Sequence, residues 1–313
     1  MDHLISKNRQ FIVLAGEKME WLAEDLSHKY PKWFIQGKID WNCFPDGTPN
    51  IFIHNMDKIK NRHILFLASH HDYKAKYMQL AAIYVLARSM VRTLTISLPF
   101  FDTATMERIS KEGEIATADF DAWLFSSLPF PVEIIIYDLH TLQNRLYFHG
   151  GATITMATGI NLLKKEIYNL KSLNIKIAFP DDGAQKRFGL AFKDYEQIVC
   201  KKVRDGNNRY VDIASGSPIN SHVIIVDDLV QSGGTLLECK NLLMLKGASK
   251  VSAYVTHAIF PNRSWRKFMD AGFEHFFVTN TFHVSSELIG QKPFKILSIA
   301  DDIVTHLLAD INN

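Results

Sequence analysis

The sequence predicts an α/β protein built from two similar halves. Three observations predict it. Short apolar, β-branched runs recur along the whole chain, helix-length segments separate them, and a Gly150-Gly151 pair interrupts the pattern between the halves. Strands joined through helical crossovers lie parallel in one sheet, with helices packed on its faces. In the first half, Phe11–Ala15 is a short strand ended by Gly16, and Met19, Leu22 and Leu26 give the following segment helical spacing. From Trp33 to Asn55 short extended pieces surround the turn signals Pro45-Asp46-Gly47 and Thr48-Pro49-Asn50, which predicts a hairpin-like flap. His63–Ala68, Leu94–Phe100 and Ile134–Tyr137 read as buried strands, with a helix over Lys76–Met90 between the first two. In the second half, strands are expected at Ile177–Phe179, Ile198–Val203, Val223–Val226, Val251–Val255 and Phe276–Val278. Leu236, Cys239 and Leu243 share one helix face, and Gly247 suits the C-terminal cap. A last helix from about Ile299 carries Ile303, Leu307 and Ile311. The expected division is 1–149 and 150–313, hinged at His149-Gly150-Gly151, with the last helix able to return to the first domain.

Composition narrows the function. The 313 residues are 47% hydrophobic and 22% charged, and 35 Lys+Arg against 33 Asp+Glu leave a net charge of +2. The apolar share excludes a disordered chain. The charge balance argues against a nucleic-acid or membrane-surface binder, so any phosphate handling must come from a local site. No apolar run reaches the roughly 20 residues of a membrane span. The N-terminal stretch has no secretory pattern. Cys43, Cys200 and Cys239 form no CxxC pair and are expected as buried free thiols in a reducing cytoplasm.

The most informative segment is His222–Thr235. Four β-branched residues, Val223–Val226, end in Asp227-Asp228, at the carboxyl end of a strand where open α/β sheets take ligands. Gln231-Ser232-Gly233-Gly234-Thr235 then enters a helix. Glycines let backbone N–H groups approach an anion, Ser232 and Thr235 add hydroxyl donors, and the helix N-terminus adds positive potential. A phosphate in the loop, with the two carboxylates on a sugar diol, is one coherent reading; a Gly-Gly turn with hydroxyl capping is the plainer one. Adjacent carboxylates repel unless a cation or hydroxyls occupy them, which favours the first.

These residues resemble the phosphoribosyl diphosphate (PRPP) loop of type I phosphoribosyltransferases, and four more segments narrow the resemblance to the ribose-phosphate diphosphokinase (PRPP synthetase) family. Ile136-Tyr137-Asp138-Leu139-His140 resembles that family's strand ending in Asp-Leu-His. Phe179-Pro180-Asp181-Asp182-Gly183 resembles its diphosphate loop. Cys200-Lys201-Lys202-Val203-Arg204 resembles its catalytic flexible loop, and Phe44-Pro45-Asp46-Gly47 its nucleotide flap. The resemblance spans nearly the whole chain in matching order and is closest to the plant-type branch. It implies two tandem phosphoribosyltransferase-like domains. It implies diphosphoryl transfer from ATP to ribose 5-phosphate, with Mg²⁺ and a homo-oligomer that shares its nucleotide site between subunits. The resemblance carries over as follows: Lys202 and Arg204 close over the triphosphate; Asp227, Asp228, Gln231, Ser232, Gly233, Gly234 and Thr235 bind ribose 5-phosphate. Phe44, Asp46, Thr48, Glu107 and Arg108 would bind nucleotide, and His140 and Asp181 would hold the metal.

Residue chemistry is compatible with these roles. A neutral imidazole at a strand end can ligate Mg²⁺ or meet a phosphate, although such a histidine is often a core donor. Asp181 after Pro180 can offer a hard oxygen, or be a turn aspartate with Asp182 as its solvated partner. Lys202 and Arg204 alternate around Val203, as on a solvated strand edge or as a pair that neutralises charge on a transferred group. The chain also departs from the better-known branch. Where that branch has an Arg-Gln-Asp-Arg segment, Thr105-Met106-Glu107-Arg108 stand here, and Ala184 replaces a glycine of the diphosphate loop. The plant-type branch implies looser nucleotide choice without phosphate activation or ADP feedback. His70-His71-Asp72 is read as a loop before a helix, with Asp72 as N-cap rather than a metal ligand, and Trp265 and Phe268 as core. Two alternatives stand beside the enzyme: an inert regulatory homologue binding active paralogues, and a phosphoribosyltransferase consuming PRPP.

Overall fold

Runs of β-branched and aromatic residues, apolar on both faces, can only be satisfied as central strands covered by helices on each side. The computed structural model resolves them so. It describes residues 10–170, 172, 174–205 and 208–309, with backbone only at 202–205, 208–210 and 309. The chain divides into two units. The first ends at Ala157 and takes up the chain again at Ala300; the second runs Thr158–Ile299.

The first unit holds strands β1 (Phe11–Ala15), β2 (Phe34–Gln36), β5 (His63–Leu67), β6 (Thr93–Ser97), β7 (Val132–Tyr137) and β8 (Ala152–Ala157). They form a six-stranded sheet in the order β2-β1-β5-β6-β7-β8, every pair parallel. Helices α1 (Glu20–Lys29), α2 (Tyr73–Ala87) and α3 (Thr117–Ser126) supply the crossovers. Ile64, Phe66, Ile96, Ile134 and Ile136 form one face of the core with Ile83 and Leu86 of α2 and Phe125 of α3. The expected flap is an antiparallel hairpin of β3 (Ile39–Cys43) and β4 (Pro49–Ile53), separate from the main sheet. Asp72 caps α2 by accepting from the Ala75 N–H at 2.8 Å, as its spacing predicted.

The second unit has a seven-stranded sheet, β11-β10-β9-β12-β13-β14-β15. Its strands are β9 (Ile175–Phe179), β10 (Gln197–Asp205), β11 (Asn208–Ser215), β12 (His222–Val230), β13 (Lys250–Ala258), β14 (Phe276–Thr279) and β15 (Phe294–Leu297). Only the β10–β11 pair is antiparallel. Helices α4 (Ile160–Asn169), α5 (Asp182–Phe188) and α6 (Gly234–Leu245) pack against it. Trp265 and Phe268 are core, as read from the sequence.

The hinge, the division and Cys43 differ from expectation. His149-Gly150-Gly151 is a turn inside the first unit, because Ala152–Ala157 form β8 and pair residue for residue with β7. The division therefore falls at Ala157/Thr158, one strand later than expected. The final helix, α7 (Ala300–Ala309), belongs to the first unit. There Tyr30 donates to Asp301 at 2.9 Å and Tyr137 donates to Asp302 at 2.7 Å. Cys200 and Cys239 are buried, but Cys43 lies partly exposed on the hairpin. No helix among the described residues is long and apolar enough to cross a membrane.

Candidate active site

In the second unit the site residues expected from the sequence lie at or just beyond the carboxyl ends of β9, β10 and β12. Strand β12 runs past the acid pair to Val230, keeping register with β13 at Asp227↔Val255 and Leu229↔His257. Neighbouring strand residues start toward opposite sides of a sheet, yet the Asp227 and Asp228 carboxyl groups lie close enough to share a hydrogen bond. Asp228 is 4% exposed and its Oδ2 lies 2.6 Å from Arg187 Nη1 on α5. The Asp228 N–H donates to Asp227 Oδ1 at 2.9 Å. Burial, and then the charges of Asp228 and Asp181, push the Asp227 carboxyl well above the usual carboxylate range.

The loop after β12 is shaped by its glycines. Gly233 is the N-cap of α6 and adopts φ +75°, a region that side chains rarely enter. A Cβ there would meet Phe268 Cζ at 2.2 Å. Phe268 in turn is held in an aromatic cluster with Phe260, Phe273, Phe276 and Phe294, at ring separations of 5.4, 5.8, 5.1 and 6.3 Å. The cluster is a rigid backing that forces the loop main chain outward. Gly234 has open space where a Cβ would stand. Gln231 and Ser232 are exposed, and Gly234 and Thr235 are half-buried at the start of the helix. The arrangement presents the first N–H groups of a twelve-residue helix to an anion.

Asp181 is exposed and caps α5, accepting from the Ala184 N–H at 2.9 Å. The Lys202 and Arg204 positions fall on β10, whose ladder with β11 extends to Asp205↔Asn208. The expected loop is therefore the arm of a hairpin; the two side chains lie outside the described residues.

The first unit carries the remaining predicted residues. His140 is half-buried just past β7, beyond Asp138 at φ +36°. The hairpin turn exposes Phe44, Asp46 and Thr48. Asp46 Oδ1 accepts from the Thr48 N–H at 2.9 Å, and this backbone bond holds the Asp46 carboxyl below its usual range. Trp41 Nε1 anchors the hairpin by donating to Ala15 O at 3.1 Å. Glu107 is buried and lies 3.0 Å from Arg108 Nε, while the Arg108 side chain is exposed. A hollow of ≈ 450 Å³, lined by Phe11, His63, Thr93 and Val132, lies at the opposite, amino-terminal ends of these strands.

Comparison with known proteins fixes the lineage. Residues 195–288 match the phosphoribosyl transferase domain. Over 98% of its length the chain is 41% identical to the chloroplastic ribose-phosphate pyrophosphokinase 3 of Oryza sativa subsp. japonica, covering 78% of that protein. It is 43% identical, over 92% of its length, to ribose-phosphate pyrophosphokinase 4 of Arabidopsis thaliana, covering 89% of it. The chain belongs to the ribose-phosphate pyrophosphokinase family. The fold agrees: a crystal structure of phosphoribosylpyrophosphate synthetase from Mycobacterium smegmatis superposes with a TM-score of 0.83 over 97% of this chain and 99% of that one, at 21% identity. The tandem phosphoribosyltransferase-like reading of the two α/β units therefore stands.

Reasoning from sequence missed the members of this site that act by burial. Arg187 was passed over because a single arginine in a helix carries no pattern; only the return of β12 beside α5 shows what it pairs with. Phe268 was read as core, which it is, but nothing local says that it walls Gly233.

Proposed function

We propose that the protein transfers the β,γ-diphosphoryl group of ATP to the anomeric hydroxyl of ribose 5-phosphate, giving 5-phosphoribosyl 1-diphosphate and AMP. The observation that carries the reading is the Gly233 cradle at the head of α6, directly after the Asp227-Asp228 strand end. Gln231 to Thr235 would hold the 5-phosphate through backbone N–H groups and hydroxyls. Asp227 and Asp228 would accept from the ribose hydroxyls, with Arg187 fixing the Asp228 carboxylate in place. Lys202 and Arg204 would neutralise charge on the group in flight, and positioning would do the rest, since such a transfer needs no nucleophilic side chain. In the first unit Phe44, Asp46, Thr48, Glu107 and Arg108 are assigned to the nucleotide.

Asp181 in the second unit and His140 in the first are assigned to Mg²⁺. Asp181, Asp227 and Asp228 are hard oxygen donors; burial first, and then the charges of Asp228 and Asp181, raise the Asp227 carboxyl, and a divalent cation would favour its ionised form. No group of three such side chains forms a cage among the described residues. Mg²⁺ bound here would therefore take its remaining ligands from water and substrate phosphates. Bound there, the ion would supply charge neutralisation on the triphosphate. We further propose a homo-oligomer and, from three free thiols, residence in the cytoplasm.

The test is to incubate the purified protein with ribose 5-phosphate, Mg²⁺ and ATP. AMP and PRPP are the expected products; ADP, or no turnover, rejects the reading. The match of residues 195–288 to a phosphoribosyl transferase domain favours a second possibility, consumption of PRPP with a base. Release of diphosphate from PRPP plus a nucleobase would identify it.

A further inference from the structure

At the carboxyl ends of β5, β6 and β7 the first unit contains a charged cluster that the assignments above leave unused. Lys76 on α2 sets its ammonium between two carboxylates, 2.9 Å from Asp102 Oδ2 and 2.5 Å from Asp121 Oδ2. The Lys76 and Asp121 side chains are only 8% and 7% exposed. Burial draws the lysine pKa down, but the two carboxylates outweigh it and keep the group charged. His70, stacked on Phe125 at 5.6 Å, brings Nδ1 to 3.7 Å from Asp102 Oδ1. Burying three charges costs solvation, so a cluster of this kind is weak evidence for stability and stronger evidence for a fixed geometry.

What it fixes is the segment 102–108. Thr103 Oγ1 donates to the same Asp121 oxygen at 2.8 Å. Asn144, fully buried, donates to Ala104 O at 2.9 Å, and Tyr147 Oη donates to Glu107 O at 2.5 Å. Ala104 and Glu107 are buried against these anchors, while Thr105, Met106 and Arg108 are exposed. The segment is tied down along one side and open along the other.

We propose that Lys76, acting with Asp121, is a positioning residue for the nucleotide: it fixes the main chain of residues 102–108 so that Thr105, Met106 and Arg108 face the donor. The proposal rests on the assignment of this segment to the nucleotide. It gives a chain with threonine and methionine at 105 and 106 a main chain held in place from beneath by Asp102 and Thr103.

Full-length Lys76→Met, Lys76→Arg and Asp121→Asn proteins test it against wild type by amide hydrogen exchange and steady-state kinetics. The Ala104 and Met106 amides, bonded to Phe101 O and Thr103 O, are the reporters. In Lys76→Met they should exchange roughly tenfold faster while amides of β12 keep their rates. KM for ATP should rise roughly 10- to 100-fold, with KM for ribose 5-phosphate unchanged, and Lys76→Arg should recover most of both. Unchanged exchange, or an equal loss toward both substrates, overturns the proposal. Should Lys76→Met fail to fold, Lys76→Arg and Asp121→Asn carry the same comparison at smaller amplitude. Exchange is read without turnover, and calorimetric binding of ATP replaces KM if wild type makes no AMP. A wild type that binds no ATP therefore removes the nucleotide assignment, while loosened amides would still mark Lys76 as the anchor.

Discussion

Arg187 Nη1 lies 2.6 Å from Asp228 Oδ2, joining the helix that follows the Asp181 turn to the strand that carries the acid pair. Both side chains are largely withdrawn from water, at 18% and 6% exposure. Removing one partner leaves the other charged and buried. Arg187→Met should therefore cost about 3–5 kcal/mol of unfolding free energy, measured by urea denaturation. Adding Asp228→Asn should restore part of that loss, since the double variant buries no lone charge. If the two losses simply add, the pair is not coupled.

Adjacent glycines of the loop should behave differently. Gly233→Ala puts a methyl into the Phe268 ring at a left-handed backbone position, whereas Gly234→Ala enters open space. Gly233→Ala should weaken ribose 5-phosphate binding by at least about tenfold, as expected from roughly 1–2 kcal/mol of left-handed strain plus displacement of the ring. Truncating Phe268 as well should not rescue it, because the strained φ remains. Calorimetric titration with ribose 5-phosphate reads both variants.

Asp181 has two separable duties. Asp181→Ser keeps an oxygen for the Ala184 N–H and removes the carboxylate; Asp181→Ala removes both. The serine variant should melt close to wild type, and the alanine variant should lose about 1 kcal/mol. Both should lose Mg²⁺-dependent AMP formation, which chelation of wild type should abolish and added Mg²⁺ restore. Full activity in Asp181→Ser would remove it from the metal site.

The role given to Lys202 and Arg204 is tested by replacing both with alanine. Turnover should fall on the order of 10³-fold, the scale at which cations stabilise phosphoryl transfer, with ribose 5-phosphate affinity unchanged by titration. A double variant with full rate rejects the assignment.

The final helix should make stability depend on pH. His306 lies 3.2 Å from Asp302, which raises its pKa above the ordinary histidine value, and Glu133 adds to the shift. Its folded pKa exceeds its unfolded one, so the stabilisation is complete below about pH 6.5 and is lost as pH rises through the raised value. Thermal melts across this window should show the decline in wild type, and Asp302→Asn should flatten it.

The parts of this protein legible in the sequence are those written in neighbouring residues. Val223–Val226 followed by Asp227-Asp228 and Ser232-Gly233-Gly234-Thr235 specify a buried strand, a turn and a helix start by local chemistry alone, and that is where they occur. Asp72 as a cap and the Phe44–Thr48 turn were legible for the same reason. The edge strands were not. Ala152–Ala157 and Asn208–Ser215 alternate weakly, and their strand character comes from pairing with β7 and β10.

The sequence by itself carried the family likeness, most of the central strands, and the strand, turn and helix start of residues 223–235. Tertiary structure alone decided where the first unit ends, that α7 returns to it, and that Asp228 of the acid pair is held by Arg187. It also set Lys76 between Asp102 and Asp121. These are bonds between residues far apart in the chain, and no local pattern encodes them. A buried charge is tolerated only where folding delivers its partner, so its identity as an anchor exists only in the folded molecule.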